Sequence, residues 1–183
     1  MTAFWIAATA WGLGELSLIV WTSRGGVSSR DVSTTVLSLT VLSGVVLAAL
    51  VAGSGERSLP GPEWLAVAVG VALLIAGFGL RVWAVRTLGR FFKYRVVVQE
   101  NHEVIQTGPY RLVRHPSYTG MVMCAAGLGL MLDDWLALIV AALPTLIAFT
   151  LRLLSEERTL AGELGEPYRE YMARTWRLVP HVW

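Results

Sequence analysis

The residues of this chain best suited to chemistry gather in two stretches. The first holds Gln99-Glu100-Asn101-His102-Glu103, then Gly108-Pro109-Tyr110, then Arg114-His115-Pro116-Ser117-Tyr118. Pro116 suits the first turn of a helix, where its missing N–H has no partner to lose. His115 or Ser117 then lies beside a helix N-terminus, where free N–H groups and the dipole favour an anion or a carboxylate. The second stretch is Arg152, Glu156, Glu157 and Arg158. Arg152 and Glu156 are four residues apart and share a helix face. Such a doublet can hold an anionic group at the arginine and a cationic or hydroxylated one at the glutamate. Each stretch also has a plainer reading: a solvated juxtamembrane loop whose arginines meet lipid, and a surface ion pair of little worth.

Other polar residues narrow the chemistry. His102 and His115 are candidate ligands or acid–base groups, but no HExxH motif or other metal-ligand spacing surrounds them, so no metal is expected. The single cysteine, Cys124, excludes an intrachain disulfide framework and a Cys-rich zinc site. It sits in an apolar run and reads as a small buried hydrophobe. Glu15 also sits in an apolar run. A carboxyl there is costly unless it is paired or faces a polar cavity, and both a structural pairing and a functional role stay open.

The elements that hold these residues follow from composition. The chain has 183 residues, 55% hydrophobic and only 15% charged, with a mean hydropathy of +0.58. Soluble domains carry about 25% charged residues. So few charges cannot coat a globule in water, and the solvent of the apolar residues is a bilayer. A net charge of +2 gives no reason to expect nucleic-acid binding.

A bilayer core needs about 20 mainly apolar residues per helix. Five candidates run from about Phe4 to Trp21, Thr34 to Ala52, Trp64 to at least Leu80, Pro116 to Leu132, and Trp135 to Leu151. The fourth is short, and the fifth is expected to continue as helix past the membrane. Asp133 and Asp134 leave almost no link between the last two, which should form a helical hairpin. No basic residue precedes the first span, which argues against a cleaved signal peptide. Arginine and lysine crowd the links after spans one and three and the tail after span five. The positive-inside rule then puts the N-terminus outside and the C-terminus in the cytoplasm. Pro144 should kink span five or free a carbonyl. The expected fold is therefore an all-α polytopic membrane protein, a single domain over residues 1–183, with a polar cytoplasmic site formed by residues 88–118 and 152–183.

The stretch Gly108-Pro109-Tyr110-Arg111-Leu112-Val113-Arg114-His115-Pro116-Ser117-Tyr118-Thr119-Gly120 resembles the central motif of isoprenylcysteine carboxyl methyltransferases. Glu156-Glu157, Leu160, Gly165, Tyr168, Tyr171 and Val179-Pro180 resemble that family's C-terminal signature. The likeness covers about half of the chain, from roughly Leu88 onward. Bacterial phospholipid N-methyltransferases carry a similar Arg-His-Pro and Glu-Glu arrangement. Membrane sterol reductases share a related architecture but use a nicotinamide cofactor.

The resemblance implies an S-adenosylmethionine site at the cytoplasmic face. By position, Gln99, His102, Val104 and Ile105 would line the cofactor, Tyr110, His115, Pro116, Ser117 and Tyr118 would continue that wall, and Glu156 would close it. Arg152 falls where the family binds substrate. An acceptor carboxylate needs no general base at pH 7, only positioning for in-line attack. Arg152 or Arg114 can supply that by a bidentate contact. An amine acceptor would instead need deprotonation, with Glu157 or a histidine as base. The reaction implied is methylation of the carboxylate of an isoprenylcysteine or similar lipid-like acceptor. The alternatives are methylation of a phospholipid or other amine, and a non-catalytic scaffold or reductase-like relative.

Overall fold

The computed structural model describes residues 1–23, 32–53, 57–89 and 104–183, with the backbone alone at 22–23 and 32–35. Among the described residues six α-helices follow one another: α1 Thr2–Ser23, α2 Val32–Val51, α3 Glu63–Leu88, α4 Pro116–Leu130, α5 Trp135–Glu163 and α6 Glu166–Arg174. A short 3-10 helix, Gly108–Arg111, precedes α4. Among the described residues there is no named strand; one parallel bridge joins Val113 to Trp176. The architecture is all-helical, as expected. Among the described residues three helices are long and apolar enough to cross a membrane: Thr2–Trp21, Glu63–Leu88 and Trp135–Glu163.

These helices differ from ordinary soluble ones in having no polar side. Large apolar residues point outward along their length, including Leu50, Trp64, Ile75 and Leu151, each more than 60% exposed. The buried set includes Glu15, Arg81, Thr145 and Glu157. Polar side chains turned in and apolar ones turned out are what a hydrocarbon solvent selects, and the chain is an integral membrane protein.

The helix bounds sharpen the sequence reading. α3 continues to Leu88, two turns past Leu80, and so carries Arg81 within the helix. α4 stops at Leu130, two residues before Leu132. α5 runs on to Glu163, well past Leu151. The α4–α5 hairpin turns through Asp133 and Asp134. Asp134 caps α5, its Oδ1 accepting from Leu136 N at 2.8 Å and Ala137 N at 3.1 Å. Its other oxygen meets Arg57 at 3.2 Å, which ties the link before α3 to this turn.

Close packing sets the helix directions. An added Cβ at Gly77 would fall 2.6 Å from Gly120 O, and one at Gly127 would fall 2.6 Å from Gly70 O. These reciprocal contacts make α3 and α4 antiparallel with touching backbones, the use small residues have between membrane helices. Val41 packs near Phe149 and Ala48 near Ala137 and Ala141, so α2 and α5 are also antiparallel. Pro144 leaves Val140 O without its helical donor. That carbonyl lies against Gly44 of α2, where an added Cβ would stand 3.3 Å from it. The largest apolar cluster, with Phe4, Val45, Leu74, Cys124 and Leu128, joins α1 to α4. Cys124 is fully buried there. We expect Gly77→Val or Gly127→Val to force α3 and α4 apart. Overpacking of this kind costs about 1–3 kcal/mol or more, readable as a lowered unfolding midpoint in detergent.

Candidate functional site

The site forms where three separate segments meet at one end of the bundle: the start of α4, the polar end of α5, and the tail after α6. The approach to α4 is held by the 3-10 helix, which packs on α3. Gly108 begins it at φ 56°, and a Cβ there would come within 2.9 Å of Thr87 Oγ1. Only glycine meets both the left-handed backbone and the close approach. The tail then pairs with the next residues: Arg114 N donates to Trp176 O at 2.8 Å, and His115 N to Arg177 O at 3.1 Å. Thr119 Oγ1 donates to Leu178 O at 2.8 Å. The tail thus braces the N-terminal turn of α4 from outside.

Glu157 is the centre of this junction and is buried. Arg114 Nε donates to its Oε1 at 2.7 Å, and Arg177 Nε to its Oε2 at 3.0 Å. His115 Nε2 lies 3.3 Å from Oε1. Arg114 also donates through Nη1 to Met172 O at 2.9 Å and to Thr175 O. One carboxylate therefore joins α4, α5 and the tail. Tyr171 adds a further link, its hydroxyl donating to Tyr110 O at 2.8 Å. Burial raises the hydroxyls of Tyr110, Tyr168 and Tyr171 above the ordinary phenol range, so all three stay protonated at neutral pH. For Tyr110 the nearby Glu156 charge adds to that effect.

One residue before Glu157, Glu156 faces a different neighbour. Tyr118 OH donates to Glu156 Oε2 at 2.6 Å. Arg152, a turn earlier on α5, also reaches the Tyr118 side chain. The Tyr118 ring stacks on His115, with centroids 5.4 Å apart and planes 3° from parallel. A carboxylate, a guanidinium and two flat rings thus converge on the first turn of α4. On the side facing α1 and α3, Arg81 Nη1 donates to Ser117 Oγ at 2.7 Å, while Arg81 Nε donates to Glu15 Oε2 at 2.8 Å.

The structure brings together Tyr110, Arg114, His115, Pro116, Ser117, Tyr118, Arg152, Glu156 and Glu157, all singled out in the sequence. Val104 and Ile105 are half-buried in irregular chain before the 3-10 helix. Gln99 and His102 lie outside the described residues. Sequence reasoning passed over Arg81, Arg177 and Thr175. Arg81 had one available signal: an arginine at the edge of an apolar run that also had to partner the isolated Glu15. Arg177 and Thr175 had none. Among the described residues no group of three or more His, Cys, Asp or Glu side chains could hold a metal ion.

The fold and this junction define a class: helical membrane proteins with a polar site carried at one end of a helical hairpin. The model of the phospholipid methyltransferase family matches residues 65–166, more than half of the chain, and the chain belongs to that family. A probable protein-S-isoprenylcysteine O-methyltransferase of Oryza sativa subsp. indica is 33% identical over 121 residues, which is 65% of this chain and 63% of that protein. Protein-S-isoprenylcysteine O-methyltransferase B of Arabidopsis thaliana is 32% identical over 122 residues, 66% of this chain and 62% of the relative. The chain spans about three fifths of the length of these plant relatives. A solved structure of a eukaryotic intramembrane Ras methyltransferase, isoprenylcysteine carboxyl methyltransferase, has the same fold, with a TM-score of 0.63 and 23% identity over 85% of this chain and 55% of its own. These relatives bear out the resemblance to the isoprenylcysteine carboxyl methyltransferases.

Proposed function

We propose that this protein is an S-adenosylmethionine-dependent methyltransferase that acts on the carboxylate of an isoprenylcysteine or similar lipid-like acceptor. The observation that carries this reading is the convergence of Arg152 and Glu156 on Tyr118 at the first turn of α4. The donor set fits S-adenosylmethionine, which bears an ammonium, a carboxylate, a ribose diol and an adenine ring. Glu156 accepts from the ammonium or the diol. The N-terminus of α4 favours the carboxylate. Tyr110, His115 and Tyr118 offer aromatic faces, and Pro116 and Ser117 complete the wall with Val104 and Ile105. Bound there, S-adenosylmethionine supplies the electrophilic methyl group of its sulfonium.

Arg152 would orient the acceptor carboxylate so that one of its oxygens faces the methyl group that the bound cofactor would supply. No proton moves in this transfer. That suits the site, because Glu157, the natural general base for an amine acceptor, is engaged on both oxygens by Arg114, His115 and Arg177. Arg114 is a positioning residue, its Nε and Nη1 already bonded within the protein. A site screened from water favours a step that merges a cation with an anion.

We propose further that residues 1–183 form one membrane-embedded unit with five crossings, an outer N-terminus, and a cytoplasmic C-terminus and active site. The alternating helix directions and the placement of arginine in the links support this topology. α4, at 15 residues, is then a crossing helped by its hairpin partner. The test is transfer of radiolabelled methyl from S-adenosylmethionine by detergent-purified protein. We expect base-labile label in a prenylcysteine analogue and none in phosphatidylethanolamine. Base-stable label in the phospholipid would replace this reading with N-methylation, and absence of saturable S-adenosylmethionine binding would remove both.

A further inference from the structure

We infer that Glu15, on the first helix, is a positioning residue that sets the N-terminal turn of α4 through Arg81. A carboxyl inside a membrane helix is costly and needs a partner. α1 touches α3 and α4 only lightly, yet it carries one. Arg81 Nε stands 2.7 and 2.8 Å from the two Glu15 oxygens, and both side chains are largely buried. A guanidinium presents its donors in a rigid plane, so fixing one edge fixes the direction of the other. With Nε held by Glu15, Nη1 points to Ser117 Oγ, 2.7 Å away.

Ser117 stands between His115, which meets Glu157, and Tyr118, which meets Glu156. The tail braces this turn from one side, and the Glu15–Arg81 pair braces it from the side facing α1 and α3. A pair needed only to bind α1 would have no reason to extend a third bond to this turn. Glu15 therefore acts on the site through Arg81 and need not touch a ligand. This role in catalysis rests on the proposed methyltransferase reading; the bracing of α4 does not.

The experiment has two readouts. Amide hydrogen exchange at Tyr118 and Thr119, whose N–H groups donate to His115 O at 3.0 and 3.1 Å, reports the turn without any ligand. Glu15→Gln and Ser117→Ala should each speed exchange there by about 3- to 10-fold, the loss of one hydrogen-bonded link. S-adenosylmethionine Kd should rise by a similar factor, and the double variant should match the singles because both cut one chain. The charge-neutral pair Glu15→Gln/Arg81→Gln separates positioning from charge balance and guards against a Glu15→Gln protein that fails to fold. It should unfold at the wild-type midpoint yet keep the fast exchange. Wild-type exchange in that pair, or in a folded Glu15→Gln protein, overturns the proposal. A wild-type protein that binds no S-adenosylmethionine would overturn the functional reading alone.

Discussion

Glu156→Ala should abolish measurable binding of S-adenosylmethionine by detergent-purified protein while its helices stay folded. In the proposed complex Glu156 makes charge-assisted hydrogen bonds to an ammonium or a ribose diol. Hydrogen bonds to charged groups contribute about 1.5–3 kcal/mol each, so losing two weakens binding by about 100-fold or more. The variant also strips Tyr118 OH of its acceptor, now 2.6 Å away, and loosens the ring that stacks on His115. Glu156→Gln keeps an acceptor oxygen but no charge and should fall between the two. His115→Ala should lose binding as well, because it removes the stacking partner of Tyr118 and a neighbour of Glu157. Titration calorimetry or equilibrium dialysis measures these affinities, and helical circular dichroism checks the fold. Ordinary affinity in both Glu156→Ala and His115→Ala would sink the assignment of this site.

Glu157→Ala acts on the frame and should cost about 3–5 kcal/mol of stability, the range for removing one partner of a buried ion pair. Two guanidiniums, Arg114 and Arg177, would keep their charge without the carboxylate between them. Arginine cannot relieve this by deprotonating. The expected outcome is release of the tail, seen as a lowered unfolding midpoint and new proteolytic cleavage after α6. Glu157→Gln keeps the shape and one acceptor and should lose less. Unchanged midpoint and protease resistance in Glu157→Ala would show that the tail is held by its backbone bonds alone.

Much of this molecule was legible beforehand. Low charge and long apolar runs gave helices in a bilayer, because hydrocarbon admits few other structures. Asp133-Asp134 gave the hairpin, since two adjacent aspartates between apolar runs leave room only for a turn and a cap. The Arg114–Tyr118 and Glu156–Glu157 motifs gave the cluster, and the structure does bring them to one place. Helix ends were less legible: α3 outruns its apolar stretch by two turns because helix propensity continues where hydropathy fades.

The pairing of charges was not legible, for a definite reason. A soluble helix advertises its inward face by an apolar stripe, but α1, α3 and α4 are apolar on every side and carry no such mark. The isolated Glu15 asks for a cationic partner, but the order of residues does not single out Arg81, 66 positions away, among the arginines, nor does it say that Glu157 faces Arg114 and Arg177 at once. Sequence alone determined the solvent, the helices and the residues with chemistry in them. Tertiary structure decided which of two adjacent glutamates turns toward Tyr118 and which is locked among arginines. That choice rests on the rotation of α5, set by its packing on α2 and α4, where Gly44 and Gly129 let the backbones approach, and by the tail that pairs with the start of α4; all of these are long-range contacts.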